Sequence, residues 1–195
     1  MRIFSLYRVE LRRLLLLKTV WVAAFLCFLS LILGYSLLYQ TDSVESMSMQ
    51  FIANGVLGAA TVGAVIWAVI MLLEASRPGR SGTDALTASI ASPVRMAAAR
   101  MLAMATLLMA VTVLCAFLYL PYTAEKMDYL FDAKFYFANY FVFLFPTWWI
   151  SIFLAEAFYQ VTCRIELSVL LYGVCACFSF SGFASTSYFM RWINP

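Results

Sequence analysis

The chain has 195 residues, of which 65% are hydrophobic and only 12% are charged, and its formal net charge is +3 at pH 7. A water-soluble domain has about 45–50% apolar and about 25% charged residues, so this composition excludes an ordinary soluble domain. Histidine is absent, which excludes Ser-His and Cys-His catalysis and removes the commonest metal ligand. We therefore expect an all-α integral membrane protein that is a single transmembrane domain over residues 1–195, with no catalytic residues and no metal site.

A basic segment, residues 1–18, comes first. Ile3, Phe4 and Leu6 alternate with arginines as far as Arg13, a composition that suits an amphipathic helix in the membrane interface. Ordinary positive charge beside a first span explains the arginines equally well, and both interpretations stay open.

Five apolar segments have the length of a membrane span, which is about 20 residues for a helix. They are residues 19–39, 51–73, 101–122, 135–158 and 167–190. The first is longer than the apolar core of a cleaved signal peptide, about 7–15 residues, and no Ala-x-Ala pattern comes after it, so we expect it to be retained.

The basic residues predict the orientation of the spans. Ten lysines and arginines fall on the side of the N-terminus and three on the other side. Because the more basic side faces the cytoplasm, we expect a cytoplasmic N-terminus and an external Pro195. Either the protein has five spans or this chain is part of a longer one with a sixth. The basic residues flank apolar stretches and form no long run, so we expect no nucleic-acid partner.

Small residues recur every four positions in the second predicted span, at Gly55, Ala59 and Gly63. They predict a helix face that a neighbouring backbone can approach closely. The neighbour can belong to the same subunit or to a second copy of the chain.

The fourth predicted span contains the candidates for a transport path. Glu156 is an ionisable group close to the end of the span, where Arg164 is near enough in sequence to be its partner. Trp148 and Trp149 sit deeper and can face a substrate path or lipid, and Pro146 predicts a bend.

The loop between the second and third spans, residues 74–100, carries most of the information. Its prolines and glycines end the second span, and a short helix is predicted over about 84–91, with Leu86 and Ile90 on one face. Ser92 then caps a helix that begins at Pro93. A short helix held between two spans can pass force from a cytoplasmic partner, whereas a plain solvated connection is the simpler alternative.

This loop resembles that of type-2 ATP-binding-cassette (ABC) permeases, the membrane subunits of many bacterial exporters. The matching residues are Glu74, Arg77, Gly82, Thr83, Leu86, Pro93, Val94 and Arg95. A second similarity is the basic segment, in which Glu10, Leu11, Arg12 and Arg13 match the Glu-Leu-Arg/Lys-Arg pattern that precedes the first span in the family.

The resemblance implies six spans in the complete family architecture and a coupling helix that docks into a groove of an ATPase subunit. The residues expected to contact the ATPase are Thr83, Asp84, Leu86, Thr87 and Ile90. It further implies a permease subunit of an ATP-driven exporter in a bacterial inner or plasma membrane, paired with a second permease copy or paralogue. The chain has no Gly-x-x-x-x-Gly-Lys-Ser/Thr motif, so ATP and Mg²⁺ are expected on the partner ATPase. The alternative function is a non-transporting assembly or anchoring subunit.

Overall fold

The computed structural model describes residues 3–37, 44–82, 89, 92–127 and 131–180, and this part of the chain contains helices and no strands. The prediction of an all-α protein is confirmed. The helices are α1 (Ile3–Leu16), α2 (Lys18–Leu37), α3 (Val44–Ala75), α4 (Arg77–Ser81), α5 (Pro93–Met127), α6 (Ala133–Thr162) and α7 (Ile165–Phe180).

Four helices in the described part are long and apolar enough to cross a membrane. Their apolar stretches are Lys18–Tyr35, Phe51–Ala75, Pro93–Met127 and Ala133–Thr162, and they coincide with the first four predicted spans. The chain therefore has the character of a multi-pass membrane protein. The fifth span stays a prediction, because α7 is described for 16 residues and residues 181–190 lie outside the described part.

Local chemistry sets the helix boundaries around the 74–100 loop. At the end of α4, Gly82 has a φ of 65° in the left-handed region that favours glycine, and its N–H bonds back to Gly79 O at 3.3 Å. Beyond the loop, α5 begins at Pro93, as the sequence predicts, and the first turn closes with Met96 N–H donating to Ser92 O at 3.1 Å.

The helix α6 contains a π-helical segment, Asn139–Leu144, between α-helical parts over Ala133–Ala138 and Phe145–Thr162. Pro146 lies just after this segment and has no N–H to donate. The Phe145 N–H bonds to Tyr140 O, five residues back, and the Thr147 hydroxyl donates to Phe143 O at 2.6 Å. The wider turn and the threonine together supply hydrogen bonds around the proline.

The central helix of the bundle is α3, which packs against α2 on one side and α6 on the other, while α1 packs along α5. The helices α2 and α3 approach closely, since a Cβ placed on Gly58 would lie 2.7 Å from the Gly34 Cα. Between α3 and α6, the indole N–H of Trp148 donates to Ala59 O at 3.1 Å. Small residues let the backbones meet, as in other membrane helix pairs.

Tyrosine hydroxyls link the helices at the end of the bundle where α2 and α5 finish and α6 begins. Tyr119 donates to Phe28 O of α2 at 2.8 Å, and Tyr136 of α6 donates to Ala116 O of α5 at 2.6 Å. Because lipid offers no hydrogen bonds, a polar group within a span is stabilised by a partner on a neighbouring helix.

Candidate functional site: a cluster of charges at one end of the bundle

The opposite end of the bundle, the charged end, brings together ionisable side chains from four helices. Its buried or half-buried members are Glu10 and Arg13 of α1, Glu74 of α3, Arg100 of α5 and Glu156 of α6. A charged group at the margin of apolar helices is costly to bury without a partner of opposite charge. The ion pairs of this region therefore determine which charges remain available to a ligand or partner.

Arg13 lies between two carboxylates. Its Nη2 and Nε both donate to Glu10 Oε2, at 2.6 and 2.9 Å, and its Nη1 forms an ion pair with Glu74 Oε2. Only 20% of the Arg13 side chain and 12% of the Glu74 side chain are exposed. This group ties α1 to the end of α3 and carries one more negative than positive charge.

Burial and pairing act in opposite directions on the pKa of Arg13. Burial alone lowers the pKa of a guanidinium, but the attraction and hydrogen bonding of Glu10 and Glu74 outweigh it and raise the pKa of Arg13 above its ordinary value. Arg13 therefore stays charged and holds the two carboxylates together.

A second buried ion pair joins α5 to α6. Arg100 Nη1 lies 3.7 Å from Glu156 Oε1, both side chains are less than a tenth exposed, and Gln160 donates to Glu156 Oε1 at 2.8 Å. Within the described residues, Arg100 Nε and Glu156 Oε2 have no hydrogen-bond partner. The pair is thus incompletely satisfied, which is unusual for groups this deeply buried.

The prediction that Arg164 pairs with Glu156 is wrong, and the reason is structural. The helix α6 ends at Thr162, and Cys163 takes a left-handed backbone conformation with a φ of 51°. This turn separates Arg164 from the α6 face that carries Glu156, and Arg164 is exposed without an ion pair in the described part.

A cavity of about 300 Å³ opens between α1, the end of α3, α4 and the start of α5. Five charged residues line it together with Pro78, Ser81 and Met96, namely Glu10, Arg13, Glu74, Arg77 and Arg100. Three guanidinium and two carboxylate groups therefore face one small space.

The other predicted site residues of α1 and α6 lie in different surroundings. Arg12 is exposed, beside the paired Glu10 and Arg13. Trp148 is fully buried between α3 and α6, and Trp149 is half-buried against the core. The transport-path role of these tryptophans and of Glu156 stays a prediction.

The small residues of α3 pack within this chain. A Cβ on Gly55 would meet the Tyr35 ring, a Cβ on Gly63 would lie 2.6 Å from Trp148 Cε2, and Ala59 is fully buried. Of the two alternatives left open for this face, packing inside one subunit is therefore the one observed.

The residues expected to contact an ATPase, Thr83, Asp84, Leu86, Thr87 and Ile90, lie outside the described residues. Their role in a coupling helix stays a prediction.

Two contacts of the charged end were not expected from the sequence, those of Arg13 with Glu74 and of Arg100 with Glu156. A signal for the second pair does exist. Arg100 lies seven residues after the start of α5 and Glu156 lies six residues before the end of α6, so both side chains sit about 10 Å inside their helices. Opposite charges at matched depth are natural partners in a membrane.

No protein-family model, curated protein or solved structure matches this chain. The residues of the charged end therefore carry the proposal for its function.

Proposed function

We propose that this chain is the membrane-spanning permease subunit of an ATP-driven exporter of the type-2 ABC class. It crosses a bacterial inner or plasma membrane with its N-terminus in the cytoplasm, and separate ATPase subunits bind and hydrolyse ATP with Mg²⁺. A second permease copy or paralogue completes the translocation path. Five spans are predicted in this chain, against six in the family.

The ion-pair group of Glu10, Arg13 and Glu74 is the observation that supports this proposal best. The resemblance to permeases rests on two segments that are far apart in the sequence, one around Glu10 and one starting at Glu74. These two segments are in contact, through a guanidinium that bridges their carboxylates. Contact between them is what a shared role next to a cytoplasmic partner requires.

The connection between α3 and α5 supports the proposal mechanically. The end of α3 is held to α1 through Glu74, and the start of α5 is held to α6 through Arg100. A push on residues 83–91, which join these two helices, therefore reaches all four helices of the charged end. Such a linkage suits the conversion of ATPase closure into a rearrangement of spans.

Co-purification tests the proposal directly. The tagged chain, solubilised in mild detergent from its native host, is compared with a variant carrying Leu86→Asp and Ile90→Asp. We expect a nucleotide-binding ATPase to accompany the wild-type chain and to be lost from the variant, because two carboxylates would be placed on the apolar face expected to dock.

A matched control carries Lys134→Asp, which changes the charge by the same two units at an exposed position on the opposite end of the bundle. This control should retain the ATPase. Absence of any ATPase from the wild-type preparation, or equal recovery with all three chains, contradicts the permease assignment and favours a non-transporting assembly or anchoring subunit.

A further inference from the structure

The cavity at the charged end has the size and position of a headgroup site. Its volume of about 300 Å³ lies at the small end of the range for ligand pockets, about 300–1,000 Å³. It opens where α3 ends and α5 begins, at the margin of the two most apolar spans, which is the level of phospholipid headgroups.

One side of the cavity carries excess negative charge. Glu10 and Glu74 share the single guanidinium of Arg13, so one negative charge is left over on this side. Both bonds from Arg13 to Glu10 end on Oε2, which leaves the other oxygen of Glu10 able to accept. A primary ammonium, with three N–H donors, matches this arrangement.

The other side of the cavity carries guanidinium groups that can donate hydrogen bonds to an anion. Arg77 forms no ion pair with any described residue. Arg100, whose Nη1 pairs with Glu156, also lines the cavity and is 7% exposed. Guanidinium groups with unused donors are suited to phosphate oxygens, which they bind through charge-assisted hydrogen bonds.

We propose that this cavity binds a phosphate ester that carries a neighbouring primary ammonium, the chemistry of a phosphoethanolamine headgroup. The phosphate lies against Arg77 and Arg100, and the ammonium lies against Glu10 and Glu74. The proposal does not depend on the ATPase partner, because it rests on the charges of this cavity alone.

Lipid retention in nanodiscs tests the proposal. The purified full chain is placed in bilayers that contain equal parts of phosphatidylethanolamine, phosphatidylcholine and phosphatidylglycerol, and the lipids that remain bound are identified by native mass spectrometry. We expect about tenfold enrichment of phosphatidylethanolamine over the other two, since neither a trimethylammonium nor an uncharged glycerol can donate charge-assisted bonds to the carboxylates.

Two variants and a control locate the site. Arg77→Gln should weaken retention of phosphatidylethanolamine about tenfold, because it removes a guanidinium from the phosphate side without breaking an ion pair between described residues. Glu10→Gln should remove the preference over phosphatidylcholine. Arg164→Gln deletes an exposed charge of the charged end that does not line the cavity, and it should behave as wild type.

Competition by soluble glycerophosphoethanolamine distinguishes the two sources of this chemistry. Displacement of the lipid at millimolar concentration assigns the site to a soluble phosphate ester, and no displacement assigns it to a membrane lipid. Equal retention of the three lipids by the wild-type chain overturns the proposal, as does unchanged retention by a folded Arg77→Gln variant.

Discussion

Arg13 faces two carboxylates, one on its own helix and one at the end of α3, and this makes it the residue on which the charged end depends most. Removing it leaves Glu10 and Glu74 close together without a counter-charge. The cost of breaking a fully buried pair is about 3–5 kcal/mol, and it is smaller for groups that keep some contact with solvent.

Arg13→Ala should therefore lower the stability of the bundle by about 2 kcal/mol, a fall in Tm of about 4–8 °C. Unfolding can be followed in detergent through the reactivity of the buried thiols of Cys27 and Cys115, with the three exposed cysteines replaced by serine. The exposed neighbour Arg12, changed to alanine, is the control and should shift Tm by about 2 °C or less. A similar small shift for both variants would show that the bridge contributes little.

The pH dependence of this contribution is set by the raised pKa of Arg13. A cation whose pKa is higher in the folded than in the unfolded chain stabilises the fold fully below its unfolded pKa and loses that effect as pH rises through the folded pKa. The stabilisation that Arg13 gives the fold is therefore lost only at strongly alkaline pH, above the ordinary pKa of arginine.

The pair Arg100 and Glu156 should show strong non-additivity. Glu156→Leu alone leaves a buried guanidinium without a counter-charge and should cost about 3 kcal/mol. Arg100→Met combined with Glu156→Leu removes both charges and should recover most of that loss. Tm values of the wild type, the two single variants and the double variant form the cycle. Additive losses would mean that the two side chains do not interact.

The sequence identifies most charged residues of this region but not their partners. Glu10, Arg13 and Glu74 stand out through the resemblance to permeases, and Glu156 stands out as an ionisable group within a predicted span. Which of these side chains make contact depends on how the helices pack. Arg100 rather than Arg164 pairs with Glu156, because the left-handed backbone of Cys163 ends α6 before Arg164.

At the scale of helices, the contact between α2 and α3 depends on glycine. The Cβ of an alanine at position 58 would lie 2.7 Å from the Gly34 Cα, which is backbone and cannot move aside as a side chain can. The two helices would have to separate, and their other contacts would weaken.

Gly58→Ala should accordingly destabilise the protein by about 2 kcal/mol, although alanine is the better helix former. Gly173→Ala in α7 is a matched control, because nothing lies within 4 Å of a Cβ at that position. It should be neutral or slightly stabilising in the same thermal assay. Equal effects of the two substitutions would indicate that the close approach of α2 and α3 is unimportant.

Helix boundaries with a local chemical cause are predictable, and irregularities inside a helix are less so. Pro93 at a helix start and Gly82 at a helix end reflect the backbone preferences of those residues. Pro146 indicates a disturbance in α6 but not its form, since a kink, a π-helix and a water-filled gap all relieve a proline.

For the whole molecule, the apolar segments predict the approximate position of the four long helices, because lipid imposes one length on every span. The order in which they pack is not encoded in hydrophobicity, since all four are apolar on every side. The packing order is set by small residues and by hydrogen bonds between helices, such as that from Trp148 to Ala59 O. These contacts join residues that are far apart in the sequence, so the sequence alone does not show them.

Orientation is a testable property at this scale. The distribution of basic residues predicts a cytoplasmic charged end. In a chain with Cys175 and Cys177 replaced by serine, a membrane-impermeant maleimide should label Lys134→Cys in intact cells. It should label the exposed Cys163 only after permeabilisation. The reverse pattern would place the N-terminus outside and would contradict the proposed function.

The π-helical segment of α6 has a consequence for how this sequence can change length. A π turn holds one residue more than the α turn it replaces, so shortening the segment by one residue returns it to an α-helix without rotating the C-terminal part of α6. Deletion of the exposed Val142 should leave Glu156 facing Arg100 and the protein folded. Deletion of the equally exposed Phe153, in the regular part of the helix, turns Glu156 away by about 100° and should abolish folding. Asn139–Leu144 is therefore the stretch of α6 where the loss of a single codon should be tolerated best.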